Sequence, residues 1–171
     1  MPYDPFERVA IRGTDLRVTR LGFGAASIGG LYREVTDADA ESTIRHAWDL
    51  GVRYFDVAPL YGYGAAERRL GAVLRTVPRD EFVLSTKVGR LVVGADALRP
   101  GADVDRQQLH GRDDAFYAGT AGRHIVFDYS AEGVRRSLAD SLERLQLDRV
   151  DIVHVHDPDD HAEEALAVAF P

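Results

Sequence analysis

Lys87, in the run Val83-Leu84-Ser85-Thr86-Lys87, is the single lysine of the chain, and the other 20 of its 21 cationic side chains are arginines. A guanidinium stays protonated, whereas an ammonium is a compact charge that chemistry can use. Three more polar groups share its setting. Asp56 lies in Tyr54-Phe55-Asp56-Val57-Ala58, Tyr61 follows five residues later, and His156 ends Asp151-Ile152-Val153-His154-Val155-His156. A phenol is a poor acid at neutral pH, but a neighbouring ammonium favours the phenolate and brings that proton within reach. Asp56 can hold Lys87 charged and in place. His156 can hydrogen-bond and orient a substrate oxygen. Together these groups make a proton donor beside a carbonyl site. Carbonyl reduction also needs a hydride, which no side chain donates, so the reading requires a nicotinamide cofactor, NAD or NADP.

The elements that must position these residues follow from patterning. Residues 9–18 alternate around Gly13-Thr14-Asp15 and read as a small hairpin. Leu21 to Ala25 reads as a short strand ending in small residues. Thr36 or Asp37 caps a helix carrying Ala40, Ile44, Ala47, Trp48 and Leu50, closed by Gly51. Val52–Val57 is a strand, Ala65–Leu74 a helix, and Phe82–Val88 a strand. Ser130 caps a helix with Val134, Leu138, Leu142 and Leu145 at helical spacing. Val150–His156 is a strand, and Ala162–Phe170 a helix. Residues 89–128 include Gly94, Gly101, Gly111, Gly119 and Gly122, show little periodicity, and read as a long loop or insertion, a substrate lid or a disordered segment.

The pattern is a hairpin and then four βα units, an α/β fold with parallel pairing. Gly22-Phe23-Gly24 lacks the third glycine that opens a helix in a dinucleotide-binding unit. An open doubly wound sheet and part of a (β/α)8 TIM barrel both remain. In a barrel, the carboxyl ends of the strands open on one face, and Asp56, Lys87 and His156 all fall at such ends. A complete barrel needs about 250 residues. On the barrel reading, the 171 residues amount to a single partial domain, a truncated barrel.

Other readings compete. The competing reading of Asp56 is a turn cap, of Tyr61 a packing aromatic with Tyr63 as its rival phenol, and of His156 a structural histidine. His154 and His156 point to one face of a strand. With Asp157, Asp159, Asp160 and His161 nearby, they open a metal-dependent hydrolase reading; without metal, His154 fits a core histidine. Arg135, Arg136, Arg144 and Arg149, with Asp140, Glu143 and Asp148, read as a solvated helix face. The net charge of −7 argues against a nucleic-acid binder, and the absence of cysteine excludes disulfides and thiolate chemistry. No apolar run reaches membrane length, and Met1-Pro2-Tyr3-Asp4-Pro5 shows no export signal, so a cytoplasmic location is expected.

Three segments carry a resemblance. Asp56-x-Ala58-x-x-Tyr61-Gly62, Ser85-Thr86-Lys87, and Asp151-Ile152-Val153 running into His156-Asp157-Pro158 resemble the signature segments of the aldo-keto reductase superfamily. The texture is that of its bacterial aldose dehydrogenase and pyridoxal dehydrogenase branch, with Leu21-Gly22-Phe23-Gly24 and Phe127-Asp128-Tyr129-Ser130 adding to it. The resemblance covers nearly all of residues 15–170. It implies a TIM-barrel oxidoreductase using NADP or NAD on a small carbonyl or sugar substrate. Tyr61 would be the general acid/base, Lys87 and Asp56 would tune it, and His156 would position the carbonyl. Gly24 and Ala25, with Asp56, would face the nicotinamide. No metal is implied. The resemblance also places the cofactor's phosphate cradle after the seventh and eighth strands. On that expectation this chain is incomplete for activity, and its exposed sheet edges and apolar inner face await self-association or a complementing half-barrel. A non-catalytic half-barrel remnant is the alternative.

Overall fold

The computed structural model describes residues 3–105, 116–118, 120 and 122–169. Met1-Pro2, the centre of the 89–128 segment with Gly111 and Gly119, and the Phe170-Pro171 end of the last expected helix lie outside them.

The alternating run forms a hairpin, β1 (Arg8–Ala10) against β2 (Arg17–Thr19), with Val9 opposite Val18. There follow β3 (Phe23–Gly24), α1 (Asp37–Asp49), β4 (Tyr54–Asp56), α2 (Ala65–Leu74) and β5 (Val83–Val88). Next come β6 (Arg90–Gly94) and β7 (Arg123–Phe127), then α3 (Ala131–Leu145), β8 (Ile152–Val155) and α4 (Ala162–Ala169). Thr36 is the cap of α1: its side chain accepts the Asp39 N–H, while Asp37 lies inside the first turn, where its charge suits the helix dipole. Ser130 caps α3 in the same way through the Gly133 N–H.

The main sheet is β3-β4-β5-β8, all parallel and in chain order. Its helices pack in sequence, α1 on α2, α2 on α3, α3 on α4. A doubly wound sheet reverses strand order and covers both faces with helices, whereas a barrel arc does neither. The architecture is thus of the (β/α)8 TIM-barrel type, with four βα units in this chain. Among the described residues no helix is long and apolar enough to cross a membrane.

Alternate strand residues face the helices. Phe55 and Leu84 are fully buried with Ile44, Leu70, Leu74 and Leu145, each such side chain contributing about 1.5–3 kcal/mol of transfer free energy. The innermost stripe of α3 is Gly133, Ser137, Ser141 and Leu145, with Val134, Leu138 and Leu142 only half-buried beside it, which corrects the expected apolar face. Small residues win because the layers approach closely: a Cβ on Gly71 of α2 would lie 2.1 Å from the Leu145 carbonyl oxygen.

The segment 89–128 departs from the expected loop at both ends. β6 and β7 pair antiparallel from Arg90–Phe127 to Gly94–Arg123. Each strand is only five residues long, and Leu91-Val92-Val93 breaks polar alternation, so the period-2 signal is too short to stand out among the surrounding glycines. The inner face of the sheet also differs from the apolar surface expected. Asp56, Ser85 and Lys87 share it, joined by hydrogen bonds.

Register places the chemistry. Gly24 lies opposite Asp56, and Asp56 opposite Ser85, while Lys87 lies opposite His154. Asp56, Lys87 and His156 therefore climb one pleat with each successive strand. Strands in a barrel tilt against its axis, so this stagger brings the three to a common height at the mouth.

Candidate active site

The anchor is a network across the β4–β5 pair. The Lys87 ammonium donates to Asp56 Oδ2 at 2.6 Å and to the Val57 carbonyl at 3.1 Å. The other Asp56 oxygen accepts from the Ser85 hydroxyl at 2.7 Å, and Ser85 Oγ also meets the Tyr54 hydroxyl at 3.2 Å. Both carboxylate oxygens are thus engaged, and the ammonium is partly withdrawn from water. Such a pair adds little stability by itself, but removing one member strands the other charge.

Tyr61 enters from the loop after β4, and its backbone route is tightly specified. Gly62, Tyr63 and Gly64 have φ of 61°, 52° and 84°, three left-handed residues in succession, of which Tyr63 pays the Cβ penalty. A Cβ on Gly62 would lie 2.2 Å from the Gly29 carbonyl oxygen, so this loop is locked against the turn that follows β3. The Tyr61 carbonyl accepts the Ala66 N–H at 3.1 Å, fastening it to the first turn of α2. The Lys87 ammonium stands 4.8 Å from the Tyr61 ring centroid. The rival Tyr63 is buried instead with Leu60, Tyr117 and Ile125. Burial, then the charge of Asp105, pushes its phenol above the ordinary value. Of the two tyrosines, Tyr61 is the one placed against the ammonium.

His156 follows β8, its N–H donating to the Val88 carbonyl at 3.0 Å. It is 5% exposed, and its ring meets that of Tyr61 edge-on, with centroids 6.0 Å apart. Burial first, then the charges of Arg90 and Lys87, push the imidazole down to about 3, with Asp56 opposing. It is therefore neutral at physiological pH, and its 3.5 Å approach from Nε2 to Asp157 is a polar contact between a neutral ring and a carboxylate. Nδ1 is buried with no hydrogen-bond partner among the described residues. A neutral imidazole can donate one hydrogen bond to an oxygen without competing as an acid.

Gly24 is exposed at the end of β3, and a Cβ there would meet nothing within 4 Å, which leaves room for a flat ring beside Asp56. Ala25 is buried, with its N–H given to the Asp56 carbonyl at 2.9 Å. His154 is exposed, which corrects its expected place in a core: β8 ends the sheet, and nothing described covers that row. The hydrolase reading loses its ligand set, since His154 and His156 differ in burial and no group of three or more His, Cys, Asp or Glu among the described residues could hold a metal.

Sequence reasoning missed the supports. Glu67 on α2 is fully buried, accepts from Thr86 at 3.1 Å, and pairs with Arg144 of α3 at 2.6 Å. Arg144 is thus a half-buried partner of Glu67 and not part of a solvated face. Arg90 pairs with the buried Asp105 at 2.7 Å, and Tyr129 donates from its hydroxyl to the His156 carbonyl at 2.6 Å. The signal available was Glu67 itself, three positions before Leu70 on the apolar side of its helix.

The chain is similar to known proteins in sequence and fold. The Aldo/keto reductase family pattern matches residues 20–169. The chain is 45% identical over 164 residues to a D-threo-aldose 1-dehydrogenase from a Pseudomonas species, covering 95% of this chain and 47% of that protein. It is 44% identical over 151 residues to a pyridoxal 4-dehydrogenase from Microbacterium luteolum, covering 88% and 43%. Among solved structures it superposes on the glycerol dehydrogenase of Gluconobacter oxydans with a TM-score of 0.62 and 26% identity, over 88% of this chain and 39% of that one. The chain spans somewhat under half the length of the curated relatives it matches.

Proposed function

This chain belongs to the aldo/keto reductase family of oxidoreductases, and from that membership we propose that it carries the proton-transfer centre of a nicotinamide-dependent enzyme acting on a small carbonyl or sugar substrate. The observation that carries the reading is the Lys87 ammonium, held by Asp56 at 2.6 Å and standing against the Tyr61 ring.

Bound NAD or NADP supplies or accepts the hydride; the open end of β3 at Gly24 fits its ring. His156, neutral and buried beside Tyr61, donates a hydrogen bond to the substrate oxygen and orients it. In reduction, Tyr61 gives its proton to that oxygen, and the positive charge of Lys87 stabilises the phenolate left behind. Carbonyl plus hydride plus proton then balances as alcohol. In oxidation of a cyclic sugar, Tyr61 takes the anomeric hydroxyl proton, and loss of the hydride from the same carbon gives a lactone. Asp56 keeps Lys87 charged through either direction. The names of the two curated relatives favour an aldose or an aromatic aldehyde as substrate.

The test joins this chain to the carboxyl-terminal half of a relative's barrel and follows nicotinamide absorbance with an aldose and with pyridoxal, alongside cofactor fluorescence titration. The expected result is turnover of at least one of the two, with Tyr61→Phe reducing it by roughly 10²–10⁴-fold while cofactor affinity holds. Turnover that persists in Tyr61→Phe, or a protein that neither binds cofactor nor turns over, overturns the reading.

A further inference from the structure

The His156 imidazole lacks the restraints that the other site residues have. Its Nδ1 has no partner among the described residues, and Nε2 has only the 3.5 Å approach to Asp157. The ladder between β5 and β8 gives its last bond at the His156 N–H, and β8 lies at the end of the sheet. Past that point, Asp157 turns with φ of 40°, a left-handed conformation that costs free energy unless its surroundings enforce it.

Arg90 approaches the Asp157 carboxylate at 3.4 Å, and the backbone carbonyls of this corner are held by one phenol. The Tyr129 hydroxyl donates to the His156 carbonyl at 2.6 Å and approaches the Asp157 carbonyl at 3.2 Å. Its ring is fully buried and seated on Gly89, where φ is 95° and a Cβ would lie 2.1 Å from Tyr129 Cε1. Gly89 stands two residues beyond Lys87, so the ring is referenced to the strand that carries the ammonium. Phe127 stacks on Tyr129 at 6.2 Å between centroids, and His161 lies tilted at 5.3 Å. Burial pushes the phenol above its ordinary value, so it remains a protonated donor across the working pH range.

We propose that Tyr129 is a positioning residue for the reaction, fixing the height and orientation of the His156 imidazole over the Tyr61 ring by holding the His156–Asp157 backbone against Gly89. Resting on the proposed role of His156, the inference adds a residue that touches neither substrate nor cofactor. Placement to within an ångström is worth up to about 10²-fold in rate, so losing this hydrogen bond alone should lower kcat by roughly tenfold. The charges facing the imidazole are Lys87 of β5, Arg90 of β6, Asp56 of β4 and its own neighbour Asp157, and none of them changes in a Tyr129 variant.

The experiment compares the protein with Tyr129→Phe, which removes one oxygen and keeps the ring. The His156 imidazole is read by ¹⁵N NMR as a function of pH in this chain, and kcat, KM and cofactor affinity are read in the joined barrel used to test the proposed function. The expected result is a rise of the His156 midpoint from about 3 toward the ordinary histidine range, with kcat about tenfold lower and cofactor affinity unchanged. If Tyr129→Phe loses its near-ultraviolet circular dichroism, 3-fluorotyrosine at position 129, which keeps the hydroxyl and sharpens its acidity, should still shift the His156 ¹⁵N signals. Unchanged His156 signals in both proteins overturn the proposal. A separate control isolates the underlying reading: if His156→Ala keeps full turnover while the NMR response to Tyr129→Phe is as expected, the strut stands and the role given to His156 fails.

Discussion

The two sides of the site are built on different principles. On the β4–β5 side, every polar atom is spoken for: Lys87 donates to Asp56 and Val57, and Asp56 accepts from Ser85 as well. Behind it, Glu67 and Arg144 brace Thr86 from the helix layer. On the β8 side, the functional ring makes almost no polar contact, and its placement is inherited from packing and from a backbone pinned by Tyr129. The first side stabilises a charge and needs a network. The second presents a neutral donor, which a hydrogen-bonding network would only occupy.

That contrast can be broken most sharply on the charged side. Lys87→Met removes the ammonium and leaves Asp56 partly buried without its counter-ion, so turnover should fall by roughly 10²–10⁴-fold. Steady-state kinetics check this, and a loss under tenfold would dissolve the distinction. Glu67→Ala strands the Arg144 guanidinium in the helix layer and should cost about 3–5 kcal/mol in urea unfolding. A cost below 1 kcal/mol would mean the brace is idle.

The uncharged side makes its own prediction about pH. His156 binds its proton less readily folded than unfolded, so between about pH 6.5 and 3 the unfolded state holds more protons. Its contribution to stability is complete above that window and is lost as pH falls through it, by up to about 1.4 kcal/mol per pH unit. His156→Gln should therefore lose stability less steeply than the parent chain over that window in denaturant titrations. Parallel curves would place the imidazole in water. The smallest effect belongs to Tyr63→Phe, where the phenol sits in an apolar cluster away from the ammonium. Turnover there should stay within about twofold, and a larger loss would revive Tyr63 as the proton donor.

Much of this arrangement was legible in the sequence. A single lysine at a strand end, an aspartate at the preceding strand end and a tyrosine five residues on announced the charged side, because the lysine and aspartate sit on short strands and the tyrosine in the clear turn that follows. The Ser130 cap and the limits of α2 read directly, and Thr36 was one of the two caps offered for α1. Other features depend on packing that pattern alone does not encode. Arg144 looks like any surface arginine until α2 brings Glu67 beneath it. Gly133, Ser137 and Ser141 look polar until close approach of the layers makes small size the property that matters. The β6–β7 pair was hidden because five-residue strands within a glycine-rich stretch give too few positions for a period to emerge. His154 was misplaced because its exposure depends on which strand ends the sheet, a property of topology and not of its neighbours in sequence.

The central claim is that Tyr61 and Lys87 act as one unit, and a double-mutant cycle on turnover tests it most directly. The account predicts that Tyr61→Phe and Lys87→Met each cost roughly 10²–10⁴-fold and that the double variant is scarcely worse than either, as for groups that share one function. Independent, multiplying losses would contradict it.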